Sequence, residues 1–207
     1  MLLDINQDNP QQRKLDQAVE CLKRDGVLIY PTDTVYGIGC NLFSKKAIQR
    51  IQRIKDMDAK KPMSFICSSM SMMQEYTQGI PNDLFKILKR LLPGPYTFIL
   101  KASKEVPKIM LTKRETLGVR FPDNPIAIGL VETLGNPILS SSLRADETQL
   151  YENAYELSDR YQKQVDMIID GGTVFAENST IIDFTGDSPV LVRQGKGDAS
   201  WLEEIYG

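Results

Sequence analysis

Two hydrophobic rhythms alternate along the chain, apolar positions three or four apart and short unbroken apolar runs, and together they predict helices interleaved with strands. Leu15, Val19 and Leu22 share one helical face, with Asn9 as cap, Pro10 as first helical residue and Gly26 as stop. Ile48, Ile51 and Ile54 mark a second helix that Ser44 can cap, which leaves Lys55 at its C-terminal end. Leu84, Leu88 and Leu91 mark a third over 81–92, stopped by Pro93-Gly94-Pro95, and 125–134 forms a fourth closed by Gly135. An amphipathic segment at 155–161 and a short helix bearing Trp201 complete the helical set. The strands fall at 27–30, 64–67, 97–100, 117–121, from 138 into the serines at 140–142, 165–169, 179–184 and 190–193. Helices interleaved with seven or eight such strands predict an α/β fold.

The most informative stretch is 30–40, YPTDTVYGIGC, where an apolar strand gives way to a hydroxyl-rich, acidic turn with two glycines. Pro31 removes the next ladder donor, so the chain leaves the sheet where Thr32, Asp33 and Thr34 begin. Gly37 and Gly39 would let the backbone approach something closely. Two readings stand here, an ordinary polar turn and one wall of a ligand site at a strand's carboxyl end. Arg120 poses a similar choice. A cation between Val119 and Phe121 in a strand must reach solvent at an edge or an anion in a cavity. Thr32, Thr34, Arg120, Ser140, Ser142, Ser179 and Arg193 all fall at predicted strand ends. Hydroxyl donors and cations without a nucleophile-base pair suit the binding of carboxylates and phosphates.

Composition narrows the chemistry. At 207 residues and 42% hydrophobic, the chain can bury a sizeable core and is expected to form a single domain over 1–207. No apolar run is long enough for a membrane span and the N-terminus lacks a signal-like apolar stretch, so a cytoplasmic location is expected. Histidine is absent, which excludes Ser-His-Asp and Cys-His machinery and imidazole metal sites. Cys21, Cys40 and Cys67 are far apart, lack CxxC spacing and read as buried reduced thiols; no protein metal site is expected. A net charge of -2 argues against generic nucleic-acid binding. Between 45 and 61, however, Lys45, Lys46, Arg50, Arg53, Lys55, Lys60 and Lys61 outnumber Asp56 and Asp58. That run is either a solvated helix face or a surface for RNA phosphates.

Eight segments in order add a resemblance: YPTDTVYGIGC, Lys55 followed by Lys61-Pro62-Met63, PGPYTFIL, LGVRFPDNP, PILSSSL, DMIIDGG, STIIDF and PVLVRQG. Over about residues 8 to 198 the chain resembles the YrdC/YciO family, on the side of its YciO branch. The resemblance implies a YrdC-like twisted mixed sheet with helices packed on it and a large basic concave cavity. It also implies a threonylcarbamoyl-AMP synthase, turning L-threonine, bicarbonate or CO2, and ATP with Mg2+ into threonylcarbamoyl-AMP and pyrophosphate for tRNA N6-threonylcarbamoyladenosine. By position, Lys55 and Arg120 would be catalytic. Thr32, Lys55, Arg120 and Ser179 would bind the threonine and carbamate portion, and Thr116, Ser140, Ser142, Arg193 and Lys61 the nucleotide.

Two departures mark this chain. Met57 stands where the synthases carry an arginine two residues after the lysine, and Arg144 where they carry an asparagine two residues after the serine; Asn124 replaces a frequent histidine. Losing a phosphate-binding guanidinium at 57 removes transition-state charge stabilisation. Three readings follow: a synthase of reduced activity, a related enzyme acting on another acyl or carbamoyl adenylate, and a non-catalytic module for double-stranded RNA or tRNA. A monomer or weak dimer is expected.

Overall fold

The computed structural model describes residues 1–58, 63–107, 115–143, 151–174 and 177–206. Its elements run β1 (Leu2–Asp4), α1 (Gln12–Lys23), β2 (Val27–Tyr30), β3 (Gly37–Asn41), α2 (Lys45–Ile54), β4 (Ser64–Ile66), α3 (Met70–Tyr76), α4 (Asn82–Leu91) and β5 (Tyr96–Lys101). They continue with β6 (Thr116–Arg120), α5 (Pro125–Leu134), β7 (Ile138–Ser142), α6 (Ala154–Tyr161), β8 (Met167–Asp170), β9 (Thr180–Asp183), β10 (Val190–Arg193) and α7 (Trp201–Tyr206). The ten strands form one twisted, open, mixed sheet in the order β1-β8-β2-β3-β7-β4-β6-β5-β9-β10.

Strand alternation sorts the side chains into two layers. Val27, Ile29, Ile38, Phe65, Phe98, Val119 and Leu139 face α2, α3, α4, α6 and α7, in a core shared with Ile48, Ile51, Leu88 and Leu157. Leu28, Tyr30, Ile66, Ile138 and Ile169 face the other way, against Leu15, Val19 and Leu22 of α1 and Ile126 and Leu130 of α5. That second layer covers part of its face, and the small polar residues of the central strands occupy the rest.

Several helix signals act as read. The Ser44 hydroxyl accepts from the Ala47 amide, and Gly135 closes α5 at φ 81°; Asn124, not read as a cap, also caps α5 by accepting from the Ala127 amide. The first helix starts two residues later than expected, behind Gln11, which makes no side-chain cap bond. The physical reason is Asn6, whose Oδ1 takes the Asp8 and Asn9 amides at 3.0 and 2.8 Å and holds that segment in a turn. β1, β3 and α3 are elements beyond the expected set. β1 is a short edge strand parallel to β8. The glycines of 37 and 39 lie inside β3, paired with β2 and β7. What they admit is the protein itself, since a Cβ at Gly39 would stand 2.9 Å from the Tyr30 ring and one at Gly37 2.9 Å from the Ser140 hydroxyl.

Candidate functional site

Most of the expected site residues stand at strand ends: Thr32 and Thr34 follow β2, Arg120, Ser142 and Arg193 close β6, β7 and β10, Thr116 opens β6, and Ser179 precedes β9. Ser140 sits in the middle of β7, which corrects its placement at a strand terminus. Register puts Ser64 opposite both Ser140 and Gly118, and Ile66 opposite Arg120. With Val119 and Phe65 turned to the α2 side, period two turns Ser64, Thr116, Gly118 and Arg120 to the other. Tyr30, Ser140 and Thr97 join them there. A Cβ on Gly118 would meet Ser64 Oγ at 3.2 Å and Thr97 Cγ2 at 3.4 Å, so this strip is tightly packed. Ser64 and Thr97 were not among the expected site residues, because a single hydroxyl in an apolar run carries no local signal.

Arg120 occupies an interior strand and is 7% exposed, so the solvent-edge alternative does not apply. Its partner is an anion of its own chain. Nη2 donates to the Asp33 carboxylate, to Thr34 Oγ1 at 2.6 Å and to Thr32 Oγ1 at 3.2 Å. The β2–β3 turn is therefore wrapped around the guanidinium. Thr32 organises it further, donating to the Val35 carbonyl at 2.6 Å and accepting from the amides of Thr34 and Val35. Lys196 ties the turn down from outside by donating to the Asp33 carbonyl at 2.7 Å.

Asp33 is the residue that motif reading passed over. Its carboxylate contacts Arg120 through Oδ1 alone, and Oδ2 is buried without a partner. The Nε of Arg120 is likewise buried and unpartnered, as is Nδ2 of Asn124, four residues on. Among the described residues, these three atoms are the buried side-chain nitrogens and oxygens without a hydrogen bond. All three belong to the 32–34 turn or to the segment that begins at Arg120. Orphaned buried polar atoms are rare in folded chains and costly, so their concentration makes this region the candidate site.

The remaining residues form two further groups. Ser179, just before β9, is linked to Thr97 Oγ1 at 2.9 Å, and Arg193 donates to the Ser179 carbonyl through Nε at 3.1 Å and Nη2 at 2.7 Å. Thr116 opens β6 on the Arg120 face. Ser140 Oγ accepts from Tyr30 at 2.7 Å, and burial pushes the Tyr30 phenol well above its ordinary pKa, which keeps it a donor. Lys55 approaches β7 from the α2 side, donating to Ser141 Oγ at 2.6 Å and to the Ser142 carbonyl. Met57 stands in the same group, its sulfur 3.8 Å from Ser141 Oγ. The structure thus joins Thr32 to Arg120 and Ser179 to Arg193, while Lys55 belongs to a separate cluster across the sheet. Lys61 and Arg144 lie outside the described residues.

On α2, Lys45, Lys46 and Arg53 are exposed, whereas Arg50 is engaged with Gln164 and Asp166. Two concavities lie away from Arg120. One of ≈ 440 Å³ is walled by Leu84, Leu100, Phe184 and Tyr206, the other of ≈ 690 Å³ by Cys21, Arg24, Lys46 and Arg53. Among the described residues no helix is long and apolar enough to cross a membrane, and no group of three acidic or cysteine side chains is arranged to hold a metal.

Comparison with known proteins places this arrangement. The Sua5–YciO–YrdC family model, described as "Telomere recombination", matches residues 20–195. The uncharacterised protein YciO of Escherichia coli K12 is 45% identical over 196 residues, covering 94% of this chain and 95% of that one. The threonylcarbamoyl-AMP synthase of Pyrococcus abyssi is 32% identical over 209 residues, covering 100% of this chain and 62% of the synthase. Among solved structures, Escherichia coli YciO superposes with a TM-score of 0.92 at 43% identity, over 97% of this chain and 98% of that one. The Pyrococcus abyssi Sua5 complex with L-threonine also gives 0.92, at 28% identity, over 100% of this chain and 61% of that one. The chain belongs to the Sua5/YciO/YrdC family.

Proposed function

We propose that this protein forms threonylcarbamoyl-AMP from L-threonine, bicarbonate or CO2, and ATP, serving N6-threonylcarbamoyladenosine formation in tRNA. The observation that carries the reading is Arg120, a buried guanidinium on the polar face, held by one nitrogen while Nε is unpartnered. Such a group is built to receive a carboxylate. Its relatives support the substrate, one being named a threonylcarbamoyl-AMP synthase and one having a structure complexed with L-threonine.

In this reading Arg120, Thr32 and Ser179 hold the carboxylate and carbamate of N-carboxythreonine, and Lys55, at the C-terminal end of α2, adds charge at the end of β7, where it meets the Ser142 carbonyl. A carbamate oxygen attacks the α-phosphorus of ATP, the bond from that phosphorus to the bridging oxygen breaks, and pyrophosphate leaves with the electron pair. Thr116, Ser140, Ser142, Arg193 and Lys61 bind the nucleotide. Mg2+ travels with the nucleotide and offsets phosphate charge. Alignment and charge stabilisation supply the acceleration, which accords with a chain lacking histidine.

Met57 favours a second reading, an enzyme of the same chemistry acting on another acyl or carbamoyl group. A thioether packed against the core beside Lys55 contributes no charge to a leaving pyrophosphate. One experiment separates the two. Purified protein incubated with ATP, Mg2+, bicarbonate and L-threonine is expected to yield threonylcarbamoyl-AMP by mass spectrometry. No product above a no-enzyme control, with a known synthase working alongside, would overturn the first reading.

A further inference from the structure

We infer that the outer edge of β10, together with the end of α7, is an interface at which two copies of this chain associate about a twofold axis, their β10 strands lying antiparallel.

The apolar core runs out to this edge uncovered. Of the nine large apolar side chains exposed among the described residues, five stand here: Val190, Leu191 and Val192 of β10, and Ile205 and Tyr206 of α7, between 43% and 59% exposed. They join the interior through a succession of rings, Phe98, Phe184 and Tyr206, with centroids 6.0 and 6.4 Å apart. The concavity of ≈ 440 Å³ walled by Leu84, Leu100, Phe184 and Tyr206 also takes in Pro189, the residue before β10. Contiguous exposed apolar surface of this kind marks an interaction site. β10 is moreover the last strand of the sheet, so backbone donors and acceptors on its outer side meet no strand among the described residues.

The opposite edge of the sheet is built differently. β1 has three residues and ends on Asp4, which pairs with Lys14. A short, charged edge resists pairing with another chain. β10 carries no charge over 190–192. Val192 has no partner in β9, because the register shifts between Leu191 and Arg193, and alternation therefore does not return it to the core.

Charge selects the occupant. Asp187 lies in the turn before β10, whereas Arg193 closes the strand and Lys196 follows it. Antiparallel association of two copies sets the acidic end of each beside the basic end of the other and lays the uncharged 190–192 segments together. Parallel association would oppose like charges. A twofold contact is self-complementary in this way by construction. With five half-exposed apolar side chains and a strand edge covered on each copy, the contact amounts to on the order of 1,000 Å² in total, the low end for a specific interface, and the dimer is accordingly weak.

Sedimentation equilibrium of the full chain from about 1 μM to about 1 mM, the range such an area implies, tests this. Wild type is expected to pass reversibly from the monomer mass to twice that mass, more readily as salt is lowered. Leu191→Lys on β10 and Ile205→Lys on α7 are each expected to raise the dissociation constant at least ~10-fold by placing a charge in the contact, and circular dichroism verifies that both fold. Amide hydrogen exchange over 190–193 is expected to slow as wild type associates and to stay fast in Leu191→Lys. A wild-type protein that remains monomeric throughout, a dimer that both variants leave intact, or growth beyond twice the monomer mass would overturn the inference. So would protection of 190–193 in the monomer, which would mean that the chain covers this edge itself.

Discussion

Two arginine–aspartate pairs show how differently one interaction can be used in this fold. Arg50–Asp166 joins α2 to the start of β8, with side chains 32% and 39% exposed. There, all three guanidinium nitrogens are engaged. Arg50 donates from Nε and Nη2 to the Gln164 carbonyl at 3.1 and 2.7 Å, and from Nη1 to Asp166 Oδ2, which also accepts the Val27 amide at 2.8 Å. Arg120–Asp33 is nearly sealed from solvent, yet it is made through one nitrogen and one oxygen and leaves Nε and Oδ2 without partners. The exposed clamp uses every guanidinium nitrogen, whereas the buried pair leaves one donor and one acceptor without partners.

The comparison can be pressed hardest by removing the buried cation. Arg120→Met leaves Asp33 a buried, uncompensated carboxylate and is expected to cost on the order of 3–5 kcal/mol, read as a lower urea midpoint at unchanged slope, together with loss of L-threonine binding. Adding Asp33→Leu should recover part of the stability and none of the binding. Alkali tests the neighbouring core without mutation. Cys40, fully buried in β3 and paired with Val27 at the end of the hairpin away from the turn, has its thiol pushed up by burial from 9.0 to about 12. A group whose folded pKa is raised contributes stability that is complete below the unfolded value and fades as pH rises through the folded one. Stability should therefore fall between about pH 9 and about pH 12, by at most ~4 kcal/mol from this thiol. Cys40→Ala should flatten that part of the urea-midpoint profile. The comparison of wild type with this variant separates it from Tyr30, Tyr36 and Cys67, which burial also raises.

A smaller effect is expected across the sheet. Met57→Arg should raise threonylcarbamoyl-AMP formation by ~10-fold to ~100-fold through charge beside Lys55, measured as initial rates at saturating ATP. The smallest effect belongs to the saturated pair. Arg50→Ala should cost about 1 kcal/mol and leave ligand affinity within error, because its partners keep other bonds or solvent.

Local chemistry made much of this legible. Ser44 and Gly135 bound their helices because capping is decided within a few residues, and the apolar runs became strands because few other structures bury them. The long-range part was not legible. Asp33 reads as one more turn-forming residue until the fold brings Arg120 to it across 87 positions. Ser64 and Thr97 join the polar face only once register is known, since alternation assigns a side but not a neighbour. Tyr30 and Ser140 fill the space that the glycines of β3 leave, so a motif that suggests close ligand approach serves first to pack the sheet. Why Ser141 and Lys55 meet on the opposite face is likewise a matter of register, since Ser141 pairs with Ile38 and turns with it toward α2.

The most direct measurement observes the unpartnered donor itself. In protein with nitrogen-labelled arginine, the Nε–H resonances of Arg120 and Arg50, assigned through Arg120→Lys and Arg50→Lys, are followed during titration with L-threonine. The account predicts a saturable shift and slowed hydrogen exchange at Arg120 Nε, with Arg50 unmoved. An Arg120 signal that stays in place at saturating L-threonine, or one that moves no more than Arg50, would contradict it.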